Sequence, residues 1–101
     1  MYLPELPWSV PVHVTFQNGT YRIFSSVMDA LDFLENEWPR RTGTRYQLAV
    51  QTCQRALRQA TPKGVAREAF ISACLEAGLP ATSAPSAFIN AVREVEHRSI
   101  A

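Results

Sequence analysis

The sequence predicts an α+β domain: an N-terminal two-stranded antiparallel β-hairpin packed on three to four α-helices, in the order β-β-α-α-α-α. Three observations carry this. Apolar and other residues alternate before an Asn-Gly pair, apolar stripes then recur at 3.6-residue spacing, and proline, glycine and hydroxyl residues punctuate the boundaries. A chain of 101 residues with 47% hydrophobic content corresponds to one domain that can bury a core without staples. Its parts are an arm at 1–9, the hairpin at 10–25, a three-helix layer at 26–79, and a connector with a C-terminal helix at 80–101.

In the hairpin, Val10, Val12, Val14 and Phe16 alternate with Pro11, His13 and Thr15, the period of a half-buried strand. Asn18-Gly19 suits a two-residue type I′ turn. That turn sets Phe16 opposite Tyr21, Val14 opposite Ile23, and His13 opposite Phe24. A lone hairpin leaves open edges, so the "LPELPW" arm or a second copy of the chain is expected to cover them.

The first helix is predicted from Val27 to Glu37, capped by Ser26 with Asp29 near its positive end. Val27, Ala30, Leu31, Leu34 and Trp38 form its stripe, and Pro39 stops it. The second runs from Arg45 to Ala60. Thr44 and Gln47 have the capping-box spacing, and Tyr46, Ala49, Val50, Cys53, Ala56, Leu57 and Ala60 form its buried side. The third follows Thr61-Pro62, read as a cap and a first-position proline. Its arc of Ala66, Ala69, Phe70, Ala73 and Ala77, widened by Ile71, Cys74 and Leu75, predicts a central helix. Gly78 ends it in a left-handed conformation, with Leu79 folding back onto Cys74. "PATSAPS" reads as a connector, and a fourth helix from Pro85 to His97 buries Phe88, Ile89 and Val92.

The net charge of +1 conceals an asymmetry: residues 1–38 sum to −4, 39–67 to +7 and 68–101 to −2. Internal pairing between an acidic first helix and a basic second helix is the simplest account. The sharper one is an anion site at the head of the second helix, where free N–H groups meet arginines. Its candidate residues are Arg40, Arg41, Thr44 and Arg45. No Gly-rich phosphate fingerprint accompanies them. A row of Arg55 and Arg58 along the second helix, with Arg40 and Arg41 near one end and Lys63 near the other, could also follow a nucleic-acid backbone, although a nearly neutral chain is far from the usual basic balance.

No catalytic constellation stands out. The histidines are His13 and His97, and Cys53 and Cys74 project from buried stripes. No metal-ligand spacing occurs, so no metal or cofactor is expected. No apolar run is long enough to span a membrane, and the N-terminus lacks the pattern of a signal peptide. The expected setting is cytoplasmic. Phe24, Phe33 and Leu48 fall off the predicted buried stripes and, with Trp8, define a candidate interaction surface.

The hairpin followed by "SVMDALDFL", Trp38-Pro39, Gly43, Tyr46, Ala49, Cys53 and the run "AREAFISACLEAG" resembles the bacterial, typically rhizobial, family catalogued as domain of unknown function 982. The likeness covers about residues 10 to 80. It implies a bacterial cytoplasmic protein and carries no established activity or site. Arg67 is the charged exception within the matched run, able to pair with an acid of the first helix or complete the anion site. The expected function is non-catalytic: a protein-binding or regulatory module that self-associates, with a homodimer through the hairpin edge. The alternative is binding of a phosphate-bearing ligand or nucleic acid through residues 39–67.

Overall fold

The computed structural model describes residues 6–38 and 43–83. Its elements are β1 (Pro7–Thr15), β2 (Tyr21–Ser26), α1 (Val27–Asn36), α2 (Thr44–Leu57), α3 (Lys63–Glu76) and β3 (Ala81–Ser83). The predicted fourth helix lies outside the described residues.

The hairpin forms, with a different turn. Phe16 N–H donates to Thr20 O at 2.8 Å and Gly19 N–H to Phe16 O at 3.0 Å, closing a three-residue loop, Gln17-Asn18-Gly19. Gly19 takes φ +91°, and Asn18 Oδ1 accepts from Thr20 N–H at 3.0 Å and Thr20 Oγ1 at 2.7 Å. The asparagine thus stabilises the turn through its side chain, and the glycine supplies the left-handed residue of a bulged loop. The register moves by one residue: Val12 faces Phe24, His13 faces Ile23 and Val14 faces Arg22. Because side chains alternate with period two, this slip carries Phe24 to the buried face, beside Val12 and Val14. A second irregularity lies between Pro7 and Val12. Across it Val10 swings outward to 42% exposure and Trp8 turns into the core.

The sheet has three strands in the order β2-β1-β3. Within the expected connector, Ala81–Ser83 pairs antiparallel with β1, and Thr15 N–H donates to Pro80 O at 2.9 Å. The chain therefore covers the β1 edge with its own third strand. Among the described residues, no strand pairs with the other edge of β2. Alternation from the Phe16–Thr20 hydrogen bond directs the main chain of Arg22 and Phe24 at β1 and that of Tyr21 and Ile23 away from it.

Ser26 caps α1 as expected: its Oγ accepts from Asp29 N–H at 3.0 Å, and Asp29 Oδ2 accepts from Ser25 N–H at 3.2 Å. α3 ends as expected too. Gly78 takes φ +82°, while Gly78 N–H donates to Leu75 O at 3.1 Å and Leu79 N–H to Cys74 O at 2.9 Å. That return feeds β3. The N-cap of α3 is Pro62, without a side-chain cap bond, rather than Thr61. Leu75, expected to widen the buried arc, is 55% exposed.

α2 closes three residues earlier than expected. Gln59 N–H donates to Ala56 O at 2.9 Å and Ala60 N–H to Arg55 O at 2.8 Å, with Gln59 at φ +63°. This is the closure glycine usually makes, held by a residue whose Cβ resists it. Gln59→Gly is expected to stabilise the domain by about 1 kcal/mol, raising the urea midpoint; an unchanged or lowered midpoint would count against the strained closure.

A chain of rings fills the space between sheet and helices. Trp8 stacks on Phe70 at 6.3 Å, Phe70 meets Phe24 edge-on at 5.0 Å, and Phe24 meets Phe33 at 5.0 Å. Phe33 continues to Trp38 at 5.6 Å, and Trp38 to Tyr46 at 5.6 Å. The polar ends are satisfied: Trp8 Nε1–H donates to Lys63 O at 2.9 Å and Tyr46 O–H to Leu34 O at 3.1 Å. Both matter because an unmade bond on a buried polar group is costly.

Candidate functional site at the head of the second helix

The free N–H groups that open a helix attract anions. At α2 the protein meets this attraction itself. Arg45 N–H donates to Glu76 Oε1 at 3.2 Å, so the last turn of α3 delivers a carboxylate to the start of α2. The cap residue is Gly43, not Thr44, and no side-chain cap bond is made by it. Thr44 is the first helical residue and exposed. The predicted reciprocal box with Gln47 is absent: Gln47 N–H donates to Gly43 O at 3.2 Å.

Gly43 sits at φ +111° and ψ 139°, close to a region only glycine occupies freely. A Cβ there would stand 2.9 Å from Glu76 Oε1. Gly43→Ala therefore combines backbone strain with displacement of the capping carboxylate. It is expected to cost about 2 kcal/mol in urea unfolding, and a midpoint equal to wild type would refute this arrangement.

Of the candidate anion residues, Arg40 and Arg41 lie outside the described residues. Arg45 is exposed at the head of α2. Arg67 belongs elsewhere. It precedes Glu76 by nine positions on α3, roughly 14 Å of rise, and its guanidinium is committed to the sheet. Nε donates to Val10 O at 2.7 Å, and Nη2 to Pro11 O at 3.4 Å and Ser83 Oγ at 2.6 Å. Nη1 meets Glu68 at 3.3 Å. Arg67 thus ties the irregular stretch of β1 to β3 and α3. It neither pairs with an acid of α1 nor joins Arg45.

The candidate interaction surface is corrected as well. Trp8, Phe24 and Phe33 are core residues at 7%, 0% and 4% exposure, whereas Leu48 is 53% exposed. The register slip buries Phe24, the irregularity in β1 buries Trp8, and Phe33 is covered because the sheet lies over a second side of α1. Leu48 therefore cannot form the expected patch with these three.

Sequence reasoning missed Arg22. Its guanidinium lies 4.6 Å from the Phe24 ring centre and 5.6 Å from that of Phe33, and pairs with Glu37 at 3.4 Å. The one cation among the acids of residues 1–38 was the available signal. Glu37 also lines an open cleft with Phe16, Asn18, Phe33 and Leu79, but there it is held by Arg22. Between α1 and α2, Gln54 Nε2 donates to Glu35 Oε2 at 3.2 Å.

Cys53 and Cys74 are fully buried free thiols. Burial, with a smaller contribution from the Glu35 charge, pushes the Cys53 thiol up to about 12. Burial alone pushes Cys74 up to about 12. His13 stacks on Tyr21 at 4.8 Å, opposite Ile23 on the sheet face that Val12 and Val14 turn away from. Among the described residues, no three His, Cys, Asp or Glu side chains form a metal-holding group, and no helix is long and apolar enough to cross a membrane.

This architecture defines a small α+β domain with a three-stranded sheet on three described helices. The family model described as Protein of unknown function (DUF982) matches residues 10–81, from the middle of β1 to the start of β3, and the chain belongs to that family. It is similar to Agrobacterium tumefaciens protein Atu1219, whose NMR structure gives a TM-score of 0.69 at 34% identity, covering 86% of this chain and 87% of that one. No curated protein matches the chain.

Proposed function

We propose that this domain is a non-catalytic protein-binding module that self-associates. One observation carries the reading. Each acidic residue described makes a contact within the chain: Asp29 with Ser25, Asp32 with Asn36, Glu35 with Gln54, Glu37 with Arg22, Glu68 with Arg67 and Glu76 with Arg45. Arg55 and Arg58, both exposed, have no such partner among the described residues. They share the outer face of α2 with exposed Leu48, Gln47 and Gln51. Cations beside an exposed leucine suit a protein surface carrying carboxylates and apolar groups.

The chemistry of the two thiols supports a non-catalytic role. A nucleophilic cysteine needs thiolate character and access, and both groups here are fully buried and raised to about 12. Binding of phosphate-bearing ligands draws support from the same free arginines. It loses support at the head of α2, where Glu76 occupies the anion position. Light scattering on size-exclusion fractions, run across a wide concentration range, tests self-association. A molar mass rising toward that of a dimer is expected; a monomer mass at every concentration would overturn it. Heparin retention that persists at moderate salt and is lost on reversing Arg55 and Arg58 would favour the phosphate reading instead.

A further inference from the structure

The outer faces of α1 and α2 carry opposite charge. On α1, Met28, Asp32 and Glu35 are exposed and fall at i, i+4 and i+7, one stripe of a helix. On α2, Leu48, Gln51, Arg55 and Arg58 are exposed and fall at i, i+3, i+7 and i+10, again one stripe. The first holds two carboxylates and one apolar side chain; the second holds two guanidinium groups and one apolar side chain. The helices are neighbours, joined by the Gln54–Glu35 bond at 3.2 Å and the Tyr46–Leu34 bond at 3.1 Å.

Neighbouring stripes of opposite sign on one chain meet the requirement of a two-fold interface. There the same patch must complement itself, so that contacts of i with j recur as j with i. We propose that a second copy of this chain docks on the α1–α2 face, α1 of each copy lying against α2 of the other. Asp32 and Glu35 then oppose Arg55 and Arg58, and Met28 and Leu48 supply the apolar contact. Glu35 keeps its contacts within its own chain, the bond to Gln54 among them. This inference rests on the self-association proposed above and names the surface.

Size sets the expected strength. Helices of 10 and 14 residues, each about 10 Å across and roughly 15 and 21 Å long, offer a footprint of only a few hundred Å². That falls short of a standard stable interface, about 800 Å² per partner, so the association is weak and reversible. Charge-led association also weakens with salt, because exposed charges are screened beyond about 10 Å at 0.1 M ionic strength.

The test uses two charge-reversed variants of the full chain, Arg55→Glu with Arg58→Glu, and Asp32→Lys with Glu35→Lys. Sedimentation equilibrium is measured for each alone and for their mixture, at low and high salt. Wild type is expected to dimerise at low salt and to dissociate as salt rises. Each variant alone presents like charges and should associate roughly tenfold or more weakly. The mixture should recover a mixed dimer, since the acidic α2 of one variant then meets the basic α1 of the other. Arg55→Gln with Arg58→Gln, which removes two guanidinium charges that make no hydrogen bond or ion pair among the described residues, serves if a reversal disturbs folding by circular dichroism, and it should weaken association too. A dimer indifferent to every substitution and to salt would overturn this inference while leaving self-association standing, as pairing along the β2 edge, which no described strand covers, would. Variants that stay monomeric when mixed would overturn the α1-against-α2 arrangement. A wild type that is monomeric throughout overturns both readings.

Discussion

Phe33→Ala is expected to destabilise the domain by about 3–5 kcal/mol, a large part of the roughly 5–15 kcal/mol that holds a domain of this kind together. The ring sits where sheet and helices meet. It contacts Phe16 at 5.8 Å, Phe24 at 5.0 Å, Trp38 at 5.6 Å and Phe70 at 6.4 Å, and Arg22 lies 5.6 Å from its centre. Truncation removes the buried area and leaves a cavity walled by rings that are themselves constrained, so the site collapses poorly. Arg22 also loses one of its two aromatic partners. Urea unfolding measures the loss, and Leu48→Ala provides the contrast, expected within about 0.5 kcal/mol of wild type. The helical stripe read from sequence would leave Phe33 at the surface with a cost as small as that of Leu48. A loss below about 1 kcal/mol would therefore overturn the packing described above.

Alkaline pH is expected to unfold the protein through its two thiols. Each is raised from 9.0 to about 12 in the fold. A pKa raised by folding means that the native state retains a proton the unfolded chain releases. The contribution to stability is complete below about pH 9 and is lost progressively as pH rises through the window to about 12. With both cysteines titrating in the unfolded chain, the slope approaches roughly −2.7 kcal/mol per pH unit. Urea midpoints at increasing pH test this, with the Cys53→Ala, Cys74→Ala double variant as control. The variant should start less stable near neutrality and decline less steeply above pH 9. Equal slopes would assign the alkaline loss to other groups. Rapid reaction of native protein with a thiol reagent at neutral pH would refute the burial itself.

Much of the fold was legible because it rests on local chemistry. The alternation through Val12 and Val14, the Ser26 cap, the apolar stripes of α1 and α2 and the Gly78 stop each depend on a few adjacent residues. The errors begin where a second element decides. Asn18-Gly19 fits both a two-residue turn and a three-residue bulged loop, and the choice between them decides which face of the sheet Phe24 joins. Three residues of β3 are too few to show a period, and they pair only because Gly78 and Leu79 return the chain alongside β1. The candidate anion site looked open from sequence because its blocking group, Glu76, lies 31 residues beyond Arg45.

The sequence by itself determined the family, the order of the helices and the first two strands, the burial of both cysteines, and the asymmetry of charge. The family follows from the matched residues along 10–81, the elements and the buried thiols from neighbours within a turn or two, and the charge asymmetry from composition. Tertiary structure alone decided the strand register, the third strand, the burial of Trp8 and Phe33, and the fate of the charges. Glu76 caps α2, Arg67 binds the main chain of β1, and Arg55 with Arg58 is left facing outward. The physical reason is common to all of these. A side chain's burial and its partner depend on what lies across from it in space, and hydrophobic period and charge count along the chain carry no record of that.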